Sequence, residues 1–218
     1  MAALQPELGK VTFQSEGAEG GPFHSRKLHV PSEVSGLTIG RGYDMKMKNQ
    51  AKIKSDLIKA GVAAKDAAVL AKASGLFGHA AKKFIKDNNI EKFEISKEAQ
   101  VKLFEITYAE EEAEAKRLCT KSDVALKYGK CNWNTLDSAM KQIIVDLKFR
   151  GDYTPSTRKN IQEYIANNDT TEFLKVLSDK TKWKNPIVPA DRFQRRVNFF
   201  KANARFKPKK ESKLPLHI

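Results

Sequence analysis

The feature that most constrains the fold is the uneven distribution of glycine along the 218 residues. Half of the twelve glycines lie between residues 15 and 44, in a stretch with few helix-forming residues. Glycine is unfavourable inside helices and frequent in turns, so this stretch predicts turns and short strands. From about residue 49 onward, apolar residues recur at helical spacing. The sequence therefore predicts a mostly α member of the α+β class: a helix, a small β region, and then roughly seven or eight helices.

Within the β region, Leu37-Thr38-Ile39 has strand-forming composition, and Gly40 and Gly42 after it suit a sharp turn. In the helical part, Ser96 is expected to cap a long helix, and Thr135 to cap an amphipathic helix that ends at Gly151. Thr154 followed by Pro155 predicts another helix start. The residues expected on the buried faces of the amphipathic and the last helix are Leu136, Met140, Ile143, Ile144 and Leu147, and Phe193, Val197 and Phe200.

The chain is strongly basic. Forty Lys and Arg against 26 Asp and Glu leave a formal net charge of +14. Such a charge attracts nucleic acids, anionic membranes and acidic bacterial walls, and does not distinguish among them. The sequence contains no Walker motif, dinucleotide fingerprint, helix-turn-helix or zinc-finger signature, so no obligate nucleic-acid partner is predicted.

Side chains that bind metals or form disulfides are few. Cys119 and Cys131 are too few for a disulfide framework and lack the spacing of a zinc site, and their redox state is open. The histidines, at 24, 29, 79 and 217, do not form an i, i+4 pair with a third ligand, so neither a metal nor another cofactor is predicted. No run approaches the roughly 20 apolar residues that span a bilayer, and the first residues lack the pattern of a cleaved signal peptide.

Two motifs carry a resemblance to a known family. Glu16-Gly17 is followed by Ser35-Gly-Leu-Thr-Ile-Gly-Arg-Gly-Tyr-Asp44, and near the other end Trp183-Lys-Asn-Pro186 precedes Arg192 and Arg195. This arrangement resembles the phage-type lysozymes, or muramidases, and is most similar to their pesticin-like branch. The resemblance covers about residues 10 to 205, with specific motifs at both ends and only a succession of helices between them.

The resemblance implies a lysozyme-like fold of two lobes over residues 1–205. The β-containing lobe is expected at about 12–50 and the helical lobe at about 50–205, with a basic tail at 206–218. The implied activity is hydrolysis of the β-1,4 bond between N-acetylmuramic acid and N-acetylglucosamine in peptidoglycan, with inversion. A monomer is expected. Its place of action would be outside the producing cytoplasm, by an export route that the sequence leaves open. The basic surface would also attract anionic wall polymers or membranes.

Glycoside hydrolysis needs one acid to protonate the leaving oxygen and a second group to deal with water or the cation-like transition state. Glu16 is the candidate acid, and burial in a cleft would raise the pKa of such a carboxyl. The resemblance implies that Asp44 is the general base, acting through a water that Thr38 positions. Phage lysozymes carry their aspartate before the threonine, whereas this chain has none between Gly21 and Gly36.

Other residues are expected to support the site or are alternative candidates for the acid. By resemblance, Arg192 pairs with the acid, and Tyr43, Gly40 and Gly42 support the substrate site. Structural alternatives stay open: a solvated helix-end glutamate at 16, a turn-capping aspartate at 44 and an ordinary strand residue at 38. Glu19 is the second candidate acid, and Glu33 the third. Side chains that could line a sugar cleft or touch substrate are Phe23, Tyr43, Trp133, His24 and His29.

A second class of function fits the charge equally well. A non-enzymatic cationic protein that binds nucleic acid or disrupts membranes would carry the same +14. Lysines 207, 209, 210 and 213 of the tail could contribute to it. This alternative leaves the Glu16 and Thr38 motifs without an explanation.

Overall fold

A computed structural model describes residues 4–21, 24–183 and 187–206. Over these residues the protein is mostly helical, with ten α-helices and one two-stranded antiparallel hairpin near the N-terminus. Nine helices follow the hairpin, slightly more than the sequence predicted. The helices are α1 Lys10–Ser15, α2 Gln50–Lys59, α3 Ala64–Ala71, α4 Gly78–Asp87, α5 Lys97–Thr120, α6 Ser122–Tyr128, α7 Ser138–Arg150, α8 Pro155–Ala166, α9 Thr170–Ser178 and α10 Ala190–Asn203. A 3-10 helix spans Lys180–Trp183.

The hairpin consists of β1 Thr38–Ile39 and β2 Tyr43–Asp44, with Thr38 opposite Asp44 and Ile39 opposite Tyr43. The three-residue turn between the strands contains Gly40 at φ 66° and Gly42 at φ 90°. Both values lie in the left-handed region that glycine adopts without a steric penalty. The predicted strand and sharp turn are therefore confirmed.

Most of the predicted helix boundaries are confirmed. The Ser96 hydroxyl accepts the backbone N–H of Ala99 at 3.0 Å, which caps α5. Thr154 accepts the N–H of Thr157 at the start of α8, with proline in the first turn. Gly151 ends α7 at φ 87°.

The predicted cap at Thr135 is wrong. α7 begins at Ser138, and the Asp137 carboxylate accepts the N–H groups of Ala139 and Met140 at 2.9 and 3.2 Å. A carboxylate directly before the first helical residue satisfies two amides that have no partner within the helix, and its charge complements the helix dipole. Thr135 lies outside the helix, where its hydroxyl donates to the carbonyl of Asn132.

The chain divides into two compact units, Met1–Glu114 and Ala115–Ile218, with the boundary inside α5. In the first unit, the hairpin shares one apolar core with α2, α3 and the first turns of α5. Hairpin residues Leu37, Ile39 and Met45 are fully buried there. The separation of lobes near residue 50 stays a prediction, and the basic tail, apart from Phe206, lies outside the described residues.

The second unit is helical over its described residues. The apolar faces predicted for α7 and α10 are confirmed as buried, and the Phe200 ring packs 5.1 Å from that of Phe173. Cys119 and Cys131 are buried free thiols. Hydrogen bonds from the Cys131 thiol and from Gln162 outweigh burial and lower the pKa of Cys119 to about 7.

None of the helices in the described part of the chain combines the length and the apolar composition needed to cross a membrane.

Candidate functional site

A groove of about 800 Å³ lies in the first unit, beside the end of α1 and the hairpin. It brings together Glu16 of the Glu16-Gly17 pair and Thr38 and Gly42 of the segment from Ser35 to Asp44. The remaining lining is mixed, with cationic, anionic, imidazole and apolar groups. Those residues are Gly17, Gly21, His24, Ser25, Lys27, Leu28, His29, Val30, Pro31 and Glu91.

Glu16 directly follows the last residue of α1 and caps the helix. Its backbone N–H donates to the carbonyl of Thr12 at 3.0 Å. α1 is anchored by the buried ring of Phe13, which packs edge-on against Phe104 at 5.0 Å. The helix therefore holds the half-buried Glu16 at the edge of the groove.

Close neighbours leave no room for a side chain at Gly17. A Cβ added at Gly17 would lie 2.7 Å from Cβ of Ser25 and 3.2 Å from Cγ of Arg41. The chain turns here between two close neighbours, so a side chain at this position would push the end of α1 away from them.

Arg41, the middle residue of the hairpin turn, supports the candidate site, and the sequence analysis did not single it out. Its guanidinium donates to the carbonyls of Phe13 and Gly17 and lies 4.0 Å from the centre of the Phe13 ring. Burial lowers the pKa of Arg41, and the nearby charge of Glu19 opposes this. The side chain joins the hairpin to the end of α1 and so relates Thr38 to Glu16. The only available signal was an arginine between two glycines.

Thr38, in β1, pairs with a different chain segment on each of its two sides. It pairs with Asp44 on one side, and on the other it exchanges two backbone hydrogen bonds with His29, of 2.9 and 3.0 Å. The side chain is buried, and its hydroxyl donates to the carbonyl of Gly36 at 3.2 Å. This residue therefore fixes the wall of the groove on which His29 lies.

Asp44, the predicted base, lies at the hairpin end and is not among the residues that line the groove as described. Its two carboxylate oxygens accept the backbone N–H groups of Gly36 and Lys46 at 3.0 and 2.7 Å. This is the turn-stabilising geometry that the sequence left open as the alternative. Its role as a base stays a prediction.

Tyr43 is placed in the core. The side chain is fully buried, and its hydroxyl donates to the Asp56 carboxylate at 2.9 Å. Burial, with the charge of Asp56 adding to it, raises the pKa of Tyr43 well above its usual range. A side chain without exposed surface does not contact a sugar, so the predicted substrate contact is replaced by a structural one. Gly40 and Gly42 serve the hairpin turn, and Gly42 also lines the groove.

Arg192 belongs to the second unit and to a buried ion-pair network there. Its guanidinium donates to both carboxylate oxygens of Asp146, at 2.7 and 3.4 Å. Arg196 bridges Asp146 and Asp152, and Asp146 has no exposed surface. The resemblance to phage-type lysozymes implied a pairing of Arg192 with the acid, and the sequence carries no local signal of Asp146, 46 residues away, as its partner.

The two other candidate acids are held as carboxylates. Burial raises the pKa of Glu19, but hydrogen bonds from Arg26 and Gln100 outweigh it and leave the pKa below its usual value. A hydrogen bond from Lys82 lowers the pKa of Glu33. Neither residue is therefore prepared to donate a proton near neutral pH.

Of the remaining predicted contacts, Trp133 is buried in the second unit, and Phe23 lies outside the described residues. His24 and His29 both line the groove. No group of three or more His, Cys, Asp or Glu side chains arranged to hold a metal ion occurs within the described ranges.

Comparison with known protein families adds one match. The family described as Domain of unknown function (DUF8812) matches residues 9–197. The chain belongs to this family. The DUF8812 region thus contains the whole groove and the ion-pair network of Arg192. A comparison with curated proteins finds no match.

Proposed function

We propose that the protein is a peptidoglycan hydrolase, a muramidase of lysozyme-like two-lobed fold that cleaves the β-1,4 bond between N-acetylmuramic acid and N-acetylglucosamine. The observation that carries the proposal is that Glu16 and Thr38, which lie 22 residues apart in the sequence, line one groove. The resemblance to phage-type lysozymes connects the same two residues, and Arg41 explains how the chain holds them together.

Glu16 is the acid of the proposed reaction. It lies half-buried at the groove, where a carboxylic acid can protonate the oxygen of the leaving sugar. A second group takes a proton from the attacking water, and the resemblance assigns this role to Asp44. Attack by water on the face opposite the acid inverts the anomeric carbon.

The charge of +14 suits the proposed substrate. Peptidoglycan and its associated polymers are anionic, so a basic protein accumulates on the wall before it reacts. Since this substrate lies outside the producing cytoplasm, the protein would act there, and the consequence would be bacteriolytic or antibacterial activity.

The test is the release of reducing sugar ends from purified peptidoglycan by the parent and by Glu16→Gln. The variant keeps the size of the side chain and removes the acid, so hydrolysis should fall by about 10²–10⁴-fold while folding and wall binding persist. Glu105→Gln, an exposed glutamate of α5, is the matched control and should hydrolyse at the parent's rate. Proton NMR of the first-formed anomer tests inversion.

A non-enzymatic cationic protein is the second candidate, favoured only by the charge. It predicts that the parent binds walls, membranes or nucleic acid without releasing sugar ends, and that Glu16→Gln changes nothing. Equal clearing of a peptidoglycan suspension by the parent and Glu16→Gln would overturn the catalytic assignment.

A further inference from the structure

We propose that His29 is the base that activates the attacking water, an inference that rests on the proposed hydrolase function. Hydrolysis with inversion needs a proton acceptor at the groove in addition to the acid. Besides Glu16, the groove lining contains three side chains able to accept a proton, those of His24, His29 and Glu91. Their contacts distinguish them.

The backbone of His29 is held rigidly. Its N–H and carbonyl both bond to Thr38, in an antiparallel pairing. Residues directly opposite each other in such a pairing project to the same face. His29 therefore lies on the Thr38 face of the hairpin, and both residues line the groove with Glu16.

The hydrogen bond of the His29 ring selects its tautomer. Nδ1 lies 3.0 Å from the carbonyl oxygen of Lys27. Because a carbonyl oxygen only accepts, Nδ1 carries the proton and Nε2 carries the lone pair. No further hydrogen bond joins the ring to a described residue, so Nε2 is available to a water in the groove.

His24 has the opposite arrangement. Its Nδ1 accepts the backbone N–H of Gly20 at 2.6 Å, which uses the lone pair of the neutral ring. Its Nε2 lies 3.1 Å from Oε1 of Glu94 and donates to it. Both nitrogens are therefore engaged, and His24 is a structural residue of the groove wall.

Asp44 and Glu91 are weaker candidates for the same role. Both carboxylate oxygens of Asp44 accept backbone N–H groups, those of Gly36 and Lys46, and Asp44 is not among the residues that line the groove as described. Glu91 lines the groove, but its side chain is exposed and forms no hydrogen bond to a described residue. A base must be held in place to act, and His29 alone of these groups combines a fixed backbone with an unengaged basic nitrogen in the groove.

Glu16 gives its proton to the glycosidic oxygen, and the C1–O bond breaks with its electron pair going to that oxygen. The water oxygen forms the new bond to C1, and one water proton passes to His29 Nε2. The imidazolium then loses this proton to solvent, and Glu16 takes one from solvent, which restores both groups.

The first variant is His29→Asn. Asparagine keeps an N–H donor near the position of Nδ1, so it can bond the Lys27 carbonyl, but it has no basic nitrogen. Hydrolysis of purified peptidoglycan should fall by about 10²–10⁴-fold at an unchanged melting temperature. Retention of the parent's rate by a folded His29→Asn overturns the proposal.

Chemical rescue provides the second readout, which a merely structural role of His29 would not affect. Azide attacks C1 without giving up a proton, so it needs the acid but not the base. Sodium azide should restore turnover of His29→Ala and yield a glycosyl azide of inverted configuration, identified by mass spectrometry and proton NMR. Glu16→Gln and His24→Gln should not be rescued.

The outcomes separate the two proposals. If the parent releases no sugar ends, the hydrolase function fails, and the role of His29 fails with it. If the parent is active and Glu16→Gln is inactive, but azide rescues Asp44→Ala or Glu91→Ala in place of His29→Ala, the function stands and His29 is not the base. Glycosyl azide from His29→Ala alone supports both proposals.

Discussion

Arg41 donates a 2.8 Å hydrogen bond from Nη1 to the carbonyl oxygen of Gly17. The same nitrogen donates to the carbonyl of Phe13, so the hairpin turn is bonded both to the last turn of α1 and to Gly17, just beyond the helix. Glu16 lies between these two acceptors along the chain. The position of Glu16 relative to Thr38 therefore depends on the side chain of Arg41, which has no proposed catalytic role itself.

Arg41→Lys should weaken both stability and activity. Lysine keeps the charge but lacks the planar guanidinium, which stacks on the Phe13 ring and fixes the direction of the Nη1 hydrogen bonds to Phe13 and Gly17. Leaving a buried acceptor unsatisfied costs about 1–3 kcal/mol. We expect a lower free energy of unfolding by denaturant and a lower kcat, since Glu16 loses its support. Lys97→Arg, which exchanges the same two residue types at an exposed position, is the control. If Arg41→Lys were destabilised but kept the parent's kcat, the hydrogen bonds of Arg41 would serve folding only.

Gly17→Ala tests the close approach at the same point. The added Cβ would meet Ser25 at 2.7 Å, so either the end of α1 or the Ser25 segment must shift. Overpacking of this kind costs about 1–3 kcal/mol. Combining it with Ser25→Gly removes the clashing atom, and Gly17→Ala should then cost less than it does in the parent. Denaturant unfolding of the parent, the two single variants and the double variant measures the coupling energy between the two positions. If the two changes in the free energy of unfolding were strictly additive, the steric explanation would be contradicted.

Much of the hairpin and the positions of several caps could be predicted because their signals are local. Gly40 and Gly42 require left-handed backbone, and Ser96 and Thr154 cap helices that begin beside them. The interactions of Arg41 and Arg192 could not be predicted in this way. Their acceptors lie 24 and 46 residues away, and a charged residue between glycines or on a helix is more often solvated.

Tyr43 shows the same limit within a motif. Tyr43 directly precedes the candidate base Asp44 in the sequence. Because β2 has only two residues, the alternation of buried and exposed positions along it does not reveal which face packs against the core. The structure covers it with α2, where Asp56 accepts its hydroxyl. Similarly, Glu16 and Thr38 could be named from motifs, but the groove that joins them depends on tertiary packing.

Tyr43→Phe should therefore affect stability and spare hydrolysis. Loss of the hydroxyl leaves the Asp56 carboxylate with Lys52, 2.8 Å away, as a remaining donor. We expect the free energy of unfolding to fall by about 0.5–1.5 kcal/mol. The rate on peptidoglycan per folded molecule should equal that of the parent. A large loss of kcat at unchanged stability would restore the sequence-based role of Tyr43 at the substrate.

The buried network around Asp146 should make the second unit sensitive to acid. Burial raises the pKa of Asp146, but the charges of Arg196 and Arg192 outweigh it and hold the pKa below its usual range. A carboxyl whose pKa is depressed on folding contributes stability above its unfolded pKa of about 3.9, and this contribution is lost as the pH falls below that value. Unfolding of the parent should therefore become easier below about pH 4.

Asp146→Asn tests this origin of the acid sensitivity. Removing one partner of a buried ion pair costs about 3–5 kcal/mol, so the variant should be destabilised at neutral pH and show a weaker dependence on acid. Asp191→Asn, an exposed aspartate that pairs with Arg195 on α10, should cost less than about 1 kcal/mol. Thermal unfolding between pH 3 and pH 7 measures both, and an equally steep acid dependence in Asp146→Asn would contradict the assignment.

Binding to the bacterial wall should weaken as salt is added. The net charge of +14 attracts anionic wall polymers over a distance set by the Debye length, which falls from about 10 Å at 0.1 M salt to about 3 Å at 1 M. Cosedimentation with purified walls should show a decreasing bound fraction over this range. Glu16→Gln is the appropriate protein for the measurement, because it should bind without digesting the wall. Its binding curve should also lie close to that of the parent at early times, since one glutamate adds little to the total charge. A bound fraction independent of salt would mean that contacts in the groove, and not the charge, hold the protein on its substrate.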